Sequence, residues 1–142
     1  MELQARSRIK IAKSPHDVFD AIVDPNHMSQ YFVSAGSARM EEGKTVTWHW
    51  DDVGAEMAVD VGKIEEDRLI SFSWRASGSK TDVEIALEPK GEGTLVMVRE
   101  DGWNKDDKGI NALAENTQGW VGFLLGLKAY LEYGINLREG SV

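Results

Sequence analysis

The sequence predicts an α+β fold: a curved antiparallel sheet of six or seven strands around one long C-terminal helix, with two short helices after the first strand. Three patterns carry that expectation. Between Asn104 and Arg138 apolar residues recur with a helical period, so that Leu113, Thr117, Trp120, Leu124, Leu131 and Ile135 share one arc, flanked by Ile110, Val121 and Leu127. Upstream, most segments alternate apolar and polar residues, the period of a half-buried strand. Between the two lies Ser14-Pro15-His16-Asp17, with an N-cap serine, proline at the first helical position and an acid at the third. An unbroken helix of about 28 residues spans roughly 42 Å, and a sheet curved around it covers its apolar side. Such a sheet does not touch the helix everywhere, so a ligand cavity is expected between them.

Taken in order, residues 3–11 form a strand with Leu3, Ala5, Ser7, Ile9 and Ile11 on one face and Arg6, Arg8 and Lys10 on the other. The first helix carries Val18, Phe19 and Ile22 inward and stops at Asp24, because Pro25 disfavours helical geometry in the residue before it. Residues 26–31 suggest a second short helix that adds Met28, Tyr31 and Phe32 to the apolar side. Four strands follow, placing inward Val46, Trp48 and Trp50; Met57, Val59 and Val61; Ile70, Phe72 and Trp74; and Val83, Ile85 and Leu87. Turn residues separate them at Glu42-Gly43, Val53-Gly54, Glu66-Asp67, Ser77-Gly78-Ser79 and 89–93. A last strand over 94–100 has ambiguous parity, since Leu95 and Met97 oppose Val96 and Val98.

The 142 residues fit one domain over 1–142. Sixteen basic against 24 acidic side chains give a net charge of −8, spread along the chain, which argues against nucleic-acid or anionic-membrane partners. The lack of cysteine excludes disulfides, thiolate catalysis and Cys-ligated metals. No leader-like or membrane-length apolar run is present, so a cytoplasmic protein without membrane insertion is expected.

Candidate site residues follow from parity. Trp48, Trp50, Phe72 and Trp74, with Phe19, Tyr31, Phe32, Met57, Val59, Trp120 and Leu124, are expected to line the cavity, where aromatic surface supplies contact area for a flat or apolar ligand. One of Arg99 and Glu100 must face inward and is the candidate polar group there. His49 points away from its tryptophan neighbours, and His16 and His27 show no carboxylate at ligand spacing in the sequence, so no metal or cofactor is expected. No phosphate loop, nucleophile elbow or dinucleotide fingerprint occurs, and the leading expectation is a non-catalytic binder. On the helix, Gly119, Gly122 and Gly126 lie within about 60° of one another. With Phe123 and Tyr130 they suggest an outer stripe for a homodimer or protein-partner contact.

Three stretches carry a family likeness: Ser14 to Phe19 with Asp24-Pro25, the Gly102-Trp103 step, and Gly119 to Leu124 with Leu127 to Glu132. In them the chain resembles the START-like (SRPBCC) helix-grip superfamily, and within it the domains similar to the activator of the Hsp90 ATPase. The resemblance implies a helix-grip fold with a hydrophobic pocket between sheet and long helix. It implies no single activity, since the superfamily spans lipid carriers, hormone receptors, cyclases and chaperone activators. Binding of a lipid-like or polyketide-like ligand is therefore the first expectation. Modulation of an Hsp90-type chaperone is the second, and polyketide cyclase-like chemistry the third.

Overall fold

The structure is a computed structural model that describes residues 2–139; Met1 and residues 140–142, included in the single-domain reading, lie outside the described residues. Seven antiparallel strands form one sheet: β1 (Gln4–Ile11), β2 (Ala35–Gly36), β3 (Thr45–Trp50), β4 (Ala55–Glu65), β5 (Leu69–Trp74), β6 (Thr81–Lys90) and β7 (Gly93–Asp101). Their order is β1-β7-β6-β5-β4-β3-β2, a meander from β2 to β7 with β1 added beside β7. Helices α1 (Pro15–Val23) and α2 (Pro25–Met28) follow β1, and α3 (Asp107–Tyr133) ends the architecture. This is the curved sheet around a long helix that the alternation and the helical periodicity predict, and the helix-grip fold that the resemblance implies.

Local chemistry sets the helix ends. Ser14 caps α1 by accepting from the Asp17 amide at 3.1 Å, and Asp24 both ends α1 and caps α2 through the Asn26 amide at 2.9 Å. Helix α2 is a single turn and stops at Met28, short of the expected Tyr31. Asp106 caps α3 through the Gly109 amide at 2.8 Å. Gly134, at φ +67°, closes it in the left-handed conformation that glycine adopts without a Cβ penalty. Ile135 therefore lies beyond the helix and is 52% exposed rather than buried on its apolar face.

The sheet bends where the β4–β5 register shifts between Val61 and Ile64. Ser71 secures this bulge, its Oγ accepting from the Lys63 amide at 2.7 Å and donating to the Lys63 carbonyl at 3.1 Å. On the concave side Val46, Trp48, Val59, Ile70, Phe72, Trp74, Val83 and Ile85 are all buried, as their parity requires. The C-terminal half of α3 is tied to β1: Lys128 Nζ donates to the Lys10 carbonyl at 2.7 Å, and Glu132 accepts from the Ala12 amide at 3.0 Å.

The buried arc of α3 is rotated from the one the periodicity predicts. Phe123 and Gly126 are buried, while Ile110 and Val121 are exposed. The cause is the segment after α2. Tyr31 packs on this flank of α3, tilted against Phe123 at 5.6 Å between ring centroids and stacked on Tyr130 at 5.8 Å. Phe123 and Gly126 thus leave the expected outer stripe, whereas Gly119 and Gly122 have no neighbouring atom within 4 Å of where a Cβ would stand. Gly119→Ala and Gly122→Ala are each expected to raise the unfolding free energy by about 0.5–1 kcal/mol. Gly126→Ala, whose Cβ would stand 3.1 Å from the Tyr31 carbonyl oxygen, is expected to forfeit that gain. Urea denaturation of the three variants checks the contrast, and equal gains at all three sites would contradict this packing.

Candidate functional site

The site grows from one buried acid. On β7, Val96 and Val98 point into the core and parity carries Glu100 with them, to 0% exposure. Arg99 accordingly faces out. It pairs with Glu84 at 3.2 Å and lines, with Arg6 and Arg8, a depression of about 550 Å³ on the convex face, so it does not belong to the space between sheet and helix. Across the sheet Glu100 stands opposite Ala5 on one side and Val83 on the other.

No cation meets Glu100 among the described residues; four neutral donors do. Trp74 Nε1 and Thr81 Oγ1, facing each other across β5 and β6, donate to one carboxyl oxygen at 2.9 and 2.6 Å. Asn116 Nδ2 and Trp120 Nε1, one helical turn apart on α3, donate to the other at 2.9 and 2.8 Å. The indole N–H groups can only donate, so the carboxyl serves as a four-bond acceptor that pins helix to sheet. Among the described residues no buried side-chain polar atom lacks a partner.

Around this anchor the aromatic rings pack edge to face. Trp48 meets Phe72 at 5.4 Å and Trp74 at 5.8 Å, while Trp74 stacks on Trp120 at 5.7 Å. Each such pair contributes about 0.5–1.5 kcal/mol beyond its burial. Phe32 joins the cluster from the loop, 4.9 Å from Phe123 and 5.5 Å from Trp50. That loop is held by Trp50 Nε1, which donates to the Phe32 carbonyl at 2.8 Å, and by the buried Tyr31 hydroxyl, which donates to the Ala21 carbonyl at 2.9 Å. Burial pushes the Tyr31 hydroxyl well above its ordinary pKa, so it stays a neutral donor.

Two grooves open beside Phe32. The smaller, about 110 Å³, is lined by Phe32, Trp74, Ala76, Glu115, Asn116, Gly119 and Trp120. The larger, about 390 Å³, is lined by Tyr31, Phe32 and Trp50, by Gly119, Gly122, Phe123, Leu125 and Gly126 of α3, and by Leu137 and Arg138. Phe32 and Gly119 are common to both. Of the residues expected around a cavity, Trp48, Val59, Phe72 and Leu124 fill the core and line neither groove. Met57 is partly buried beside Trp48, its cross-strand partner. Phe19 lines a different depression, beside Met40 and Ile64. Sequence reasoning missed Asn116, although its spacing of four from Trp120 places both on one helical face. It also missed Glu115, Leu125, Leu137 and Arg138.

The C-terminal segment straps the larger groove. Arg138 pairs with Asp52 in the turn between β3 and β4. The hydrogen bond from Arg138 holds the Asp52 carboxyl below its ordinary value of 3.8. A depressed folded-state pKa contributes stability above the unfolded value, which is lost as pH falls through the folded one. The strap is therefore expected to loosen below about pH 3.8, and in Asp52→Asn already at neutral pH. Lower amide protection over residues 136–139, taken as the exchange rate relative to the intrinsic rate at the same pH, is the check under both conditions.

Besides His49, which stands 3.7 Å from Glu56 across β3 and β4, two histidines have carboxylate neighbours. His16 Nδ1 stands 3.0 Å from Asp67, which raises the pKa of the imidazole, first through this hydrogen bond and then through the charge. His27 bridges the Tyr130 hydroxyl at 2.6 Å and Asp20 at 3.6 Å. The fold alone brings His16 to Asp67 and His27 to Tyr130, whereas Asp20 and Asp24 lie shortly before His27 in the chain. Each imidazole lies beside two carboxylates, Glu66 and Asp67 or Asp20 and Asp24. The second group is already engaged, since Arg39 pairs with Asp20 and Asp24 caps α2.

Known proteins share this fold. Protein SSP2350 of Staphylococcus saprophyticus is 30% identical, with 95% of this chain and 96% of that one covered and a TM-score of 0.84. DynU16, described as a putative protein in the dynemicin biosynthetic locus, gives 23% identity and a TM-score of 0.84; the match covers 95% of this chain but 49% of that one. The Aha1 dimer from Colwellia psychrerythraea gives 22% identity, 92% and 97% coverage and a TM-score of 0.80. The last two likenesses bear on fold alone. No curated protein sequence matches. Among the described residues no helix is long and apolar enough to cross a membrane. The family model of activator of Hsp90 ATPase homolog 1-like proteins matches residues 12–132, and the chain belongs to that family.

Proposed function

We propose that this protein binds a small apolar or aromatic molecule, lipid-like or polyketide-like in size, in the grooves along α3. The observation that carries this reading is the glycine wall: Gly119 and Gly122 hold open a concavity facing Phe32 and Trp50, at a cost of up to about 1 kcal/mol each in helix stability. Aromatic walls supply contact area and little hydrogen-bonding demand, which suits an apolar guest. Binding is favoured over catalysis because the polar groups of the two grooves are few. Asn116 is engaged by Glu100 and Arg138 by Asp52, which leaves Glu115 at the edge. The test is titration with N-phenyl-1-naphthylamine, an uncharged probe that brightens in apolar surroundings. Saturable binding at one site per chain is expected, and a linear, non-saturating rise would contradict the reading.

A second reading rests on the outer side of α3, where Val121 and Leu125 are 45% and 48% exposed and Gly122 is exposed between them in sequence. A second copy of the chain or a protein partner fits this side, and the family's name and the dimeric neighbour from Colwellia make a homodimer or an Hsp90-type chaperone the candidates. Gly122→Lys is the test. Unchanged solution mass by light scattering, with unchanged effect on chaperone ATPase rate, would dispose of it.

A further inference from the structure

The buried acid beneath the smaller groove bears on what that groove takes. Glu100 is buried at 0% exposure, with four donors and no cation among its partners. Three of those partners, Trp74, Asn116 and Trp120, also form the groove's lining. The carboxyl group is therefore separated from the groove by a single layer of side chains. An indole that donates its N–H to a carboxylate is polarised by it, which enriches the electron density of its ring and strengthens the attraction of its face for a cation. Trp74 and Trp120 are both in that state, and Glu115 adds a second carboxylate to the lining. No cationic side chain lines this groove, and Arg138, at the larger one, is offset by Asp52.

The cation that fits is compact and asks for few hydrogen bonds. The lining is mostly carbon, and the two oxygens of Glu100 already accept four bonds. A primary ammonium would lose water without recovering acceptors, whereas a methylated ammonium carries a diffuse charge on an apolar surface and loses little. The volume of about 110 Å³ is of the size of such a head group, with the larger groove adjoining it across Phe32 and Gly119 for an apolar remainder.

We infer that the smaller groove is a subsite for a methylated ammonium group, carried by the apolar ligand of the proposed function, on which this inference rests. The experiment compares choline with its uncharged isostere 3,3-dimethylbutan-1-ol, read by the indole N–H resonances of the ¹⁵N-labelled protein. Trp103, whose Nε1 donates to Ser77 outside both grooves, serves as internal reference. Choline is expected to shift the Trp74 and Trp120 resonances with at least tenfold tighter apparent affinity than the alcohol, leaving Trp103 in place. Glu115→Gln, at an exposed position, is expected to weaken choline several-fold and leave the alcohol unchanged. Equal or tighter binding of the alcohol overturns the inference while the proposed function stands. The subsite is equally overturned if neither compound shifts these resonances but N-phenyl-1-naphthylamine binds saturably. If the naphthylamine also fails to bind, both readings fall together.

Discussion

Glu100→Ala is expected to be the most damaging single substitution outside the apolar core. It strands four donors: the indoles of Trp74 and Trp120 and the Thr81 hydroxyl, which the fold has removed from water, and the half-buried Asn116 amide. An unsatisfied buried donor costs about 1–3 kcal/mol. The four share one small region and can relax together, so the costs do not simply add, and a loss of about 4 kcal/mol is expected. Glu100→Gln keeps one acceptor oxygen but turns an amide N–H₂ toward groups that themselves donate. About 2–3 kcal/mol is expected there. Urea denaturation followed by tryptophan fluorescence measures both. A loss below about 1 kcal/mol for the alanine variant would mean that Glu100 does not anchor α3 to the sheet.

Gly119→Leu is expected to act in the opposite direction on stability and strongly on binding. Its Cβ enters space with no atom within 4 Å, and leucine is a better helix former than glycine by about 0.5–1 kcal/mol. The fold should therefore be retained or strengthened. Gly119 borders both grooves, so the isobutyl group occupies the volume that the ligand needs. Affinity for N-phenyl-1-naphthylamine is expected to fall at least tenfold. A stable variant that binds the probe as well as the wild type would place the ligand elsewhere.

Most of the architecture was legible because it rests on periodicity. Alternation over β3 to β6 placed Trp48, Phe72, Trp74 and Val83 on the concave face, and the Ser14-Pro15 start placed α1. The two-residue β2 escaped notice because Ala35–Gly36 is too short to show alternation and is defined only by its pairing with Trp48 and His49. The parity of β7 was undecidable in the sequence, since apolar residues occupy both faces of its middle. The structure resolves it through the partners of Glu100, which come from β5, β6 and α3. The misplaced arc of α3 has a similar origin: periodicity identifies an apolar face, but Tyr31 decides which flank is covered. The grooves were the least legible part. The larger depends on Leu137 and Arg138, the second of which pairs with a turn residue 86 positions earlier. The glycines were visible as an anomaly in a helix, and their role as a wall emerged only with Phe32 opposite.

Binding along α3 is tested most directly by locating an apolar guest on the protein. Intermolecular nuclear Overhauser contacts between bound N-phenyl-1-naphthylamine and the ¹³C-labelled protein measure this. Contacts to Phe32, Trp50, Gly122 and Leu125 are predicted. Contacts confined to Met97 and Arg99, which line the depression on the convex face, would contradict it.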